Sequence, residues 1–295
     1  MSFKPMSCKL ASLGAIAALV ATTAAHAEGE PPAEVAPIKD AYKAGIDGTF
    51  APHAFPSLDG GIQGFNVDIA SAMAEKLGVE IEIIAGQYTG LFPALHSETF
   101  DYIAAPTTVT EERSKTLLFT EGFMETNFGF AAKPGSGIAS VEDLRGKTVT
   151  ANKGSLYETW LTERAEEMDM TVLTFGTSSD ALEAVTSGRA DASMAGMTAT
   201  AWAGKMNPNL EFAFQINTGL SWALPFRRED YATRNLFDSA LECLKIDGTM
   251  AALSEKWFGI TPEEGDLIVT PSAGYGTPGF EGYQPDAHEA SCDFG

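Results

Sequence analysis

Apolar and polar positions along the chain follow two periods that trade places. Residues 42–47 and 79–84 read as strands, the second by its alternation, whereas Phe65–Leu77 carries Val67, Ile69, Met73 and Leu77 on one face of a predicted amphipathic helix. A further helix is predicted over Tyr88–His96 and a short strand over 102–105. Strands alternating with helices predict a mostly parallel sheet covered by helices, an α/β fold. The pattern then repeats after Lys133-Pro134-Gly135. A short helix is predicted over 141–144, strands over 148–151, Thr171–Phe175 and 192–195, and helices over 156–168 and 179–185. The last of these has Ser178 or Ser179 as its cap and Gly188 just past its end. Helix returns over 231–257, interrupted at Asp247-Gly248. Two like units with a late return imply two lobes joined by two crossings, expected near 131–133 and 220–224. Lobe 1 is then 38–131 and 224–260, and lobe 2 is 132–223.

The chain ends carry neither period. Lys4 and Lys9 precede an uncharged run of apolar and small residues, and Ala25-His26-Ala27 offers a cleavage site before Glu28. Residues 1–27 therefore read as a secretory signal peptide, too short and wrongly flanked for a membrane span. Cys8 lies before the apolar run instead of after it, which argues against a lipid anchor. Residues 28–37 are a Pro- and Glu-rich leader expected to be disordered. The tail 261–295 is rich in Gly and Pro with Tyr275, Phe280 and Tyr283 interleaved, and is expected to lie on the surface as an extended strap.

Charge and cysteine count narrow the picture. With 19 Lys+Arg against 40 Asp+Glu, the 295-residue chain has a formal net charge of −21, or −23 once Lys4 and Lys9 leave with the signal. Such a surface repels phosphate backbones and anionic bilayers, so no nucleic acid is expected as a partner. The same acidity also keeps an exported protein soluble. Export leaves Cys243 and Cys292, a candidate disulfide in an oxidising compartment, with two free thiols as the alternative. His53, His96 and His288 are not paired at metal-ligand spacing, and no G-x-S-x-G elbow, P-loop or G-x-G-x-x-G fingerprint occurs. Asp59-Gly60-Gly61 reads as a hairpin-like turn. No metal, cofactor or catalytic residue is expected.

Seven segments in order carry a family likeness: GFNVDIA from Gly64, LFPAL from Leu91, DYI from Asp101, TVTEER from Thr108, DLRGK from Asp143, GRAD from Gly188, and DGT from Asp247 with KWFG from Lys256. They resemble the extracellular solute-binding proteins of the polar-amino-acid class that serve ABC importers (bacterial solute-binding protein family 3). The resemblance implies a two-lobed periplasmic-binding fold that closes on a small zwitterionic ligand with a carboxylate. It also implies delivery to an inner-membrane ABC permease from the periplasm; a monomer is expected.

The resemblance assigns the site as well. Arg113 follows a strand and loop at a sheet's carboxyl edge, the ligand side of open α/β sheets, and its guanidinium fork suits a carboxylate; an exposed arginine at a helix start is the plainer alternative. Family members use this arginine for the ligand's α-carboxylate. Phe50 and Tyr88 resemble the aromatics that sandwich the ligand, Asp47 a residue that meets its polar or cationic end, and Thr108 a hydroxyl beside Arg113. Ser155 and Leu156 open a helix whose N–H groups suit an anion, although many relatives have Thr at Leu156. Two departures stand out. Pro106 replaces a small residue, and Gly196 stands where binders of ordinary α-amino acids carry an Asp for the α-ammonium. Both a standard amino acid and an ectoine-like or modified zwitterion therefore remain open. A dehydratase on the same scaffold would need an acid such as Glu125 or Glu158 aimed at the ligand, and a sensory module would need a continuing membrane helix.

Overall fold

The computed structural model describes residues 33–294; the expected signal peptide and residues 28–32 of the leader lie outside them. The chain builds two lobes, the first around one apolar core and the second around a larger and a smaller one. In the first, the strand Ala41–Asp47 lies between the parallel strands Glu80–Gly86 and Tyr102–Ile103. The helix Phe65–Leu77 buries Phe65, Ile69, Met73 and Leu77 on one face, as its period requires. Its start depends on Gly64, at φ 143°, where a Cβ would stand 2.3 Å from the His53 carbonyl oxygen. The turn at Asp59-Gly60-Gly61 joins a two-stranded hairpin, Phe55–Pro56 with Ile62–Gln63.

The second lobe holds a five-stranded sheet in the order Thr171–Phe175, Thr148–Asn152, Ala192–Gly196, Phe128–Ala132, Glu211–Ile216. The first three run parallel, and the last two join antiparallel. Three elements here were not predicted from the sequence: Phe128–Ala132, Met197–Met206 and Glu211–Ile216. Phe128–Ala132 is buried along its whole length and so shows no alternation. The helix Met197–Met206 is built of Ala, Thr and Gly around a single Trp and has only a faint apolar stripe. The cap of the helix Ser178–Thr186 is Thr177, whose Oγ1 accepts from Asp180 N, and not Ser178 or Ser179.

A small antiparallel ladder joins the lobes, with Ser221–Ala223 between Thr107–Thr108 and Met124–Glu125. Phe128 already belongs to the second sheet, so the chain crosses before the position expected at 131–133. The return is complete by Ser221, which pairs with Glu125, so Ser221–Ala223 sits in the joining ladder instead of lobe 2.

The helices Tyr231–Ile246 and Thr249–Phe258 close the first lobe, split where Gly248 takes a left-handed φ of 87°. Tyr231–Ile246 is buried on its polar side too, because the tail lies across it. Arg234 donates to the Gly282 carbonyl at 2.9 Å, Asp238 accepts from Gly276 N, and Lys245 reaches the Thr270 carbonyl at 3.2 Å. Cys243 and Cys292 form a disulfide that ties the far end of the tail to this helix. Closing a loop of 49 residues stabilises the fold by about 4 kcal/mol in the chain-entropy account. Residues 34–36 of the leader, expected to be disordered, are instead bonded to the same helix. Ala36 N donates to the Ala232 carbonyl at 2.9 Å, and the Glu34 carbonyl accepts from Asn235 at 2.7 Å.

Candidate functional site

The parallel strands of both lobes point their carboxyl ends at the cleft between them, and the chemistry collects there. Asp47 ends the first strand, Tyr88 opens the helix after the second, and Pro106 and Thr108 follow the third. Arg113 lies in the short helix Glu111–Ser114, which is capped by Thr110. From the second lobe, Ser155 caps the helix Leu156–Arg164 through its bond from Glu158 N at 3.2 Å. A cavity of about 120 Å³ lies at this junction. Asp47, Phe50, Tyr88, Pro106, Thr108 and Arg113 line it from one side, and Ser155 and Leu156 from the other.

Gly196 is the expected residue that does not line the cavity. A Cβ there would stand 2.6 Å from the Trp222 ring and 3.1 Å from the Tyr157 hydroxyl. An Asp side chain is therefore not merely missing, because an indole and a phenol fill its place. Thr49, Asn152, Tyr157, Ser178, Trp202 and Trp222 also line the cavity and were not anticipated. Asn152 and Ser178 had a usable signal, since each follows or ends a predicted strand at its carboxyl end. For Trp222 the signal was the crossing expected near 220–224, and the joining ladder brings it to the cleft.

The lobes touch through directed bonds. Asn152 Nδ2 donates to Asp47 Oδ2 at 3.0 Å, Ser178 N to Thr49 Oγ1 at 3.2 Å, and Arg113 Nη2 to the Gly154 carbonyl at 3.3 Å. Arg113 Nη1 holds the Thr108 carbonyl at 2.9 Å, so two of the five guanidinium donors are spent on backbone. At the rim, Phe55 of the first lobe packs on Trp202 of the second with ring centroids 6.0 Å apart. Burial pushes the Asp47 carboxyl up from its ordinary range, against the hydrogen bonds from Thr49 and Asn152.

His53 supplies one more inter-lobe bond, 2.7 Å to Thr198 Oγ1. Its tautomer follows from its neighbours. Asn66 Nδ2 donates to the Ala104 carbonyl, which turns Asn66 Oδ1 toward His53 Nδ1 at 2.9 Å. Nδ1 therefore carries the proton, and Nε2 accepts from the Thr198 hydroxyl. Burial lowers the His53 pKa to about 4, opposed by the Asn66 contact. A depressed folded pKa contributes stability that is complete above about 6.5 and is lost as pH falls through about 4, on the order of 3 kcal/mol. Glu121, Asp238 and Glu242 have raised pKa values and work in the opposite sense over part of this range, so a site-specific readout is needed. The His53 ring resonances are expected to stay those of the Nδ1–H tautomer from pH 8 to pH 5; a midpoint near 6.5 would refute its burial between Asn66 and Thr198.

The family model for bacterial extracellular solute-binding proteins, family 3, matches residues 42–260. The chain belongs to this family. Among family 3 relatives, the L-cystine-binding protein TcyJ of Escherichia coli (strain K12) is 28% identical over 218 residues, covering 73% of this chain and 81% of TcyJ. The solved structure of an ancestral arginine-binding protein bound to arginine is 31% identical, with a TM-score of 0.72, over 76% of this chain and 100% of that one. An ancestral amino acid-binding protein described as a precursor of cyclohexadienyl dehydratase is 28% identical with a TM-score of 0.69, over 74% of this chain and 96% of that one. Glu125 and Glu158, the two acids named as candidates for a dehydratase, are not among the residues that line the cavity, whereas Asp47 is. Glu158 accepts from Gly154 N at 2.6 Å and Glu125 from Asn127 Nδ2 at 3.1 Å.

Proposed function

We propose that this family 3 protein is the substrate-binding component of an ABC importer in the periplasm, capturing an amino acid or amino-acid-derived zwitterion and handing it to an inner-membrane permease as a monomer. The observation that carries this reading is the cavity between the lobes, with the Arg113 guanidinium and the first turn of the helix Leu156–Arg164 at its wall. First-turn N–H groups lack intrahelical partners, and with a guanidinium they favour a carboxylate. Phe50 and Tyr88 offer ring faces to the ligand's apolar stem and its cation. Asp47 supplies the negative charge, Thr108 and Ser155 polar groups near the carboxylate, and Pro106 and Leu156 apolar walls.

Binding is coupled to hinge closure about the joining ladder, because the ligand contacts both lobes at once only when they meet. The relatives named above are binding proteins, which supports capture without turnover. A thermal-shift screen of the exported chain against amino acids, ectoine and betaines tests it. A ligand at a hundredfold excess over its dissociation constant stabilises by about 2.7 kcal/mol, a rise of about 5–10 °C for a chain of this size. No rise with any zwitterion would refute the reading.

A further inference from the structure

Resting on that reading, we infer that the ligand presents its positive charge as an N–H-bearing group, and that Asn152 Oδ1 and Ser178 Oγ are its hydrogen-bond partners. The geometry starts at Asp47. Its Oδ1 accepts from Thr49 N at 3.0 Å and from Thr49 Oγ1 at 2.7 Å, while Oδ2 accepts from Asn152 Nδ2 at 3.0 Å. A carboxylate only accepts, so this contact fixes the Asn152 amide with its nitrogen on Asp47 and its oxygen turned away.

That oxygen is buried and has no donor among the described residues, on a side chain whose residue is 8% exposed. Ser178 Oγ, in a residue 7% exposed, is in the same state. Both residues line the cavity. Thr49 ties them into one cluster, taking a bond from Ser178 N and giving one to Asp47. An amide oxygen can only accept, so in a ligand cavity the donor missing at Asn152 Oδ1 is the ligand's to supply, whereas the Ser178 hydroxyl beside it can accept from the ligand or donate to it.

An ammonium, amidinium or guanidinium satisfies this cluster. A quaternary ammonium has no N–H to give and leaves the Asn152 oxygen unpaired, however well its methyl groups meet Phe50 and Tyr88. The ligand class therefore narrows to zwitterions whose cation carries hydrogen, amino acids and cyclic amidines alike, and excludes betaines. Asn152 Oδ1 determines this specificity with the Ser178 hydroxyl beside it, and Arg113 holds the opposite, anionic end.

Calorimetric titration of the exported chain with the standard amino acids, ectoine, glycine betaine and proline betaine tests the inference. Binding is expected only among the N–H-bearing compounds. For the tightest of them, Ser178→Ala should weaken binding about tenfold and Asn152→Leu about a hundredfold, with the unliganded Ser178→Ala protein melting as the parent does. A betaine among the tight binders overturns the inference. So does an affinity within twofold of the parent for both variants while Arg113→Ala abolishes binding. Heat from none of the compounds defeats the underlying reading, and the inference with it.

Discussion

Arg113→Ala is expected to abolish capture of any carboxylate ligand while leaving the fold in place. Removing one partner of a desolvated, hydrogen-bonded charge pair costs about 2–5 kcal/mol, or about 30- to 4,000-fold in affinity. Part of that loss is direct, since the ligand's anionic end keeps only the N–H groups at the start of the helix Leu156–Arg164. Part is indirect, because the bond from Arg113 Nη2 to the Gly154 carbonyl also joins the lobes. The fold loses little. The side chain is half-buried, and its other contacts are the Thr108 carbonyl and the face of Phe92, 5.9 Å from the ring centroid. Calorimetry with a ligand that shifts the parent's melting temperature, beside a denaturation curve of the unliganded variant, separates the two effects. Retained affinity would remove Arg113 from the site.

The largest loss of stability is expected from Lys245→Met. Lys245 Nζ lies 2.9 Å from Glu121 Oε1 with both side chains fully buried, and it also donates to the Gly122 carbonyl at 2.8 Å. Burial lifts the Glu121 pKa to about 7, with Lys245 pulling it back down. Without the lysine, Glu121 faces a buried, uncompensated charge or must hold a proton at neutral pH. Breaking a buried pair from one side costs about 3–5 kcal/mol, or about 6–20 °C in melting temperature.

The sign with pH follows from the raised pKa. A carboxyl that holds its proton in the folded state and releases it at about 4.3 when unfolded destabilises the fold increasingly as pH rises between the two values. The deficit should therefore be larger at pH 8 than at pH 5. Adding Glu121→Gln should recover most of it, since a neutral amide needs no cation. A single variant as stable as the parent at pH 8 would show that the pair contributes nothing.

Neither prediction is equally legible in the chain itself. Arg113 sits inside a contiguous motif, TVTEER, directly after a predicted strand, so its place at a sheet's carboxyl edge follows from local pattern. Glu121 and Lys245 lie far apart in sequence, in segments that otherwise look like an exposed loop and a helix with a charged side. The tail covers that side, and no period in the tail announces where it will lie. Disulfide candidacy was readable from the count of exported cysteines, whereas the 4.9 Å Cα separation that permits the bond belongs to the folded tail.

The helices Phe65–Leu77 and Tyr88–His96 could be placed from sequence because each buries one face, and a half-buried element writes its period into the chain. Phe128–Ala132 could not, being buried on both faces, and for that reason the first crossing was expected too late. The candidate site residues were named by the family resemblance and not by periodicity. Asp47, Phe50, Tyr88, Pro106, Thr108, Arg113, Ser155 and Leu156 all stand near strand ends or helix starts, where open α/β sheets keep their ligands.

What the sequence determined by itself was thus the two α/β units, their family and the polar groups at one edge of each sheet. Whether Gly196 left a gap or a filled position, and which way the amide of Asn152 points, were decided only when the lobes met. Trp222 arrives from the joining ladder and Asp47 from the opposite lobe. Periodicity records which face of an element is buried, and it carries no information about which distant side chain does the burying.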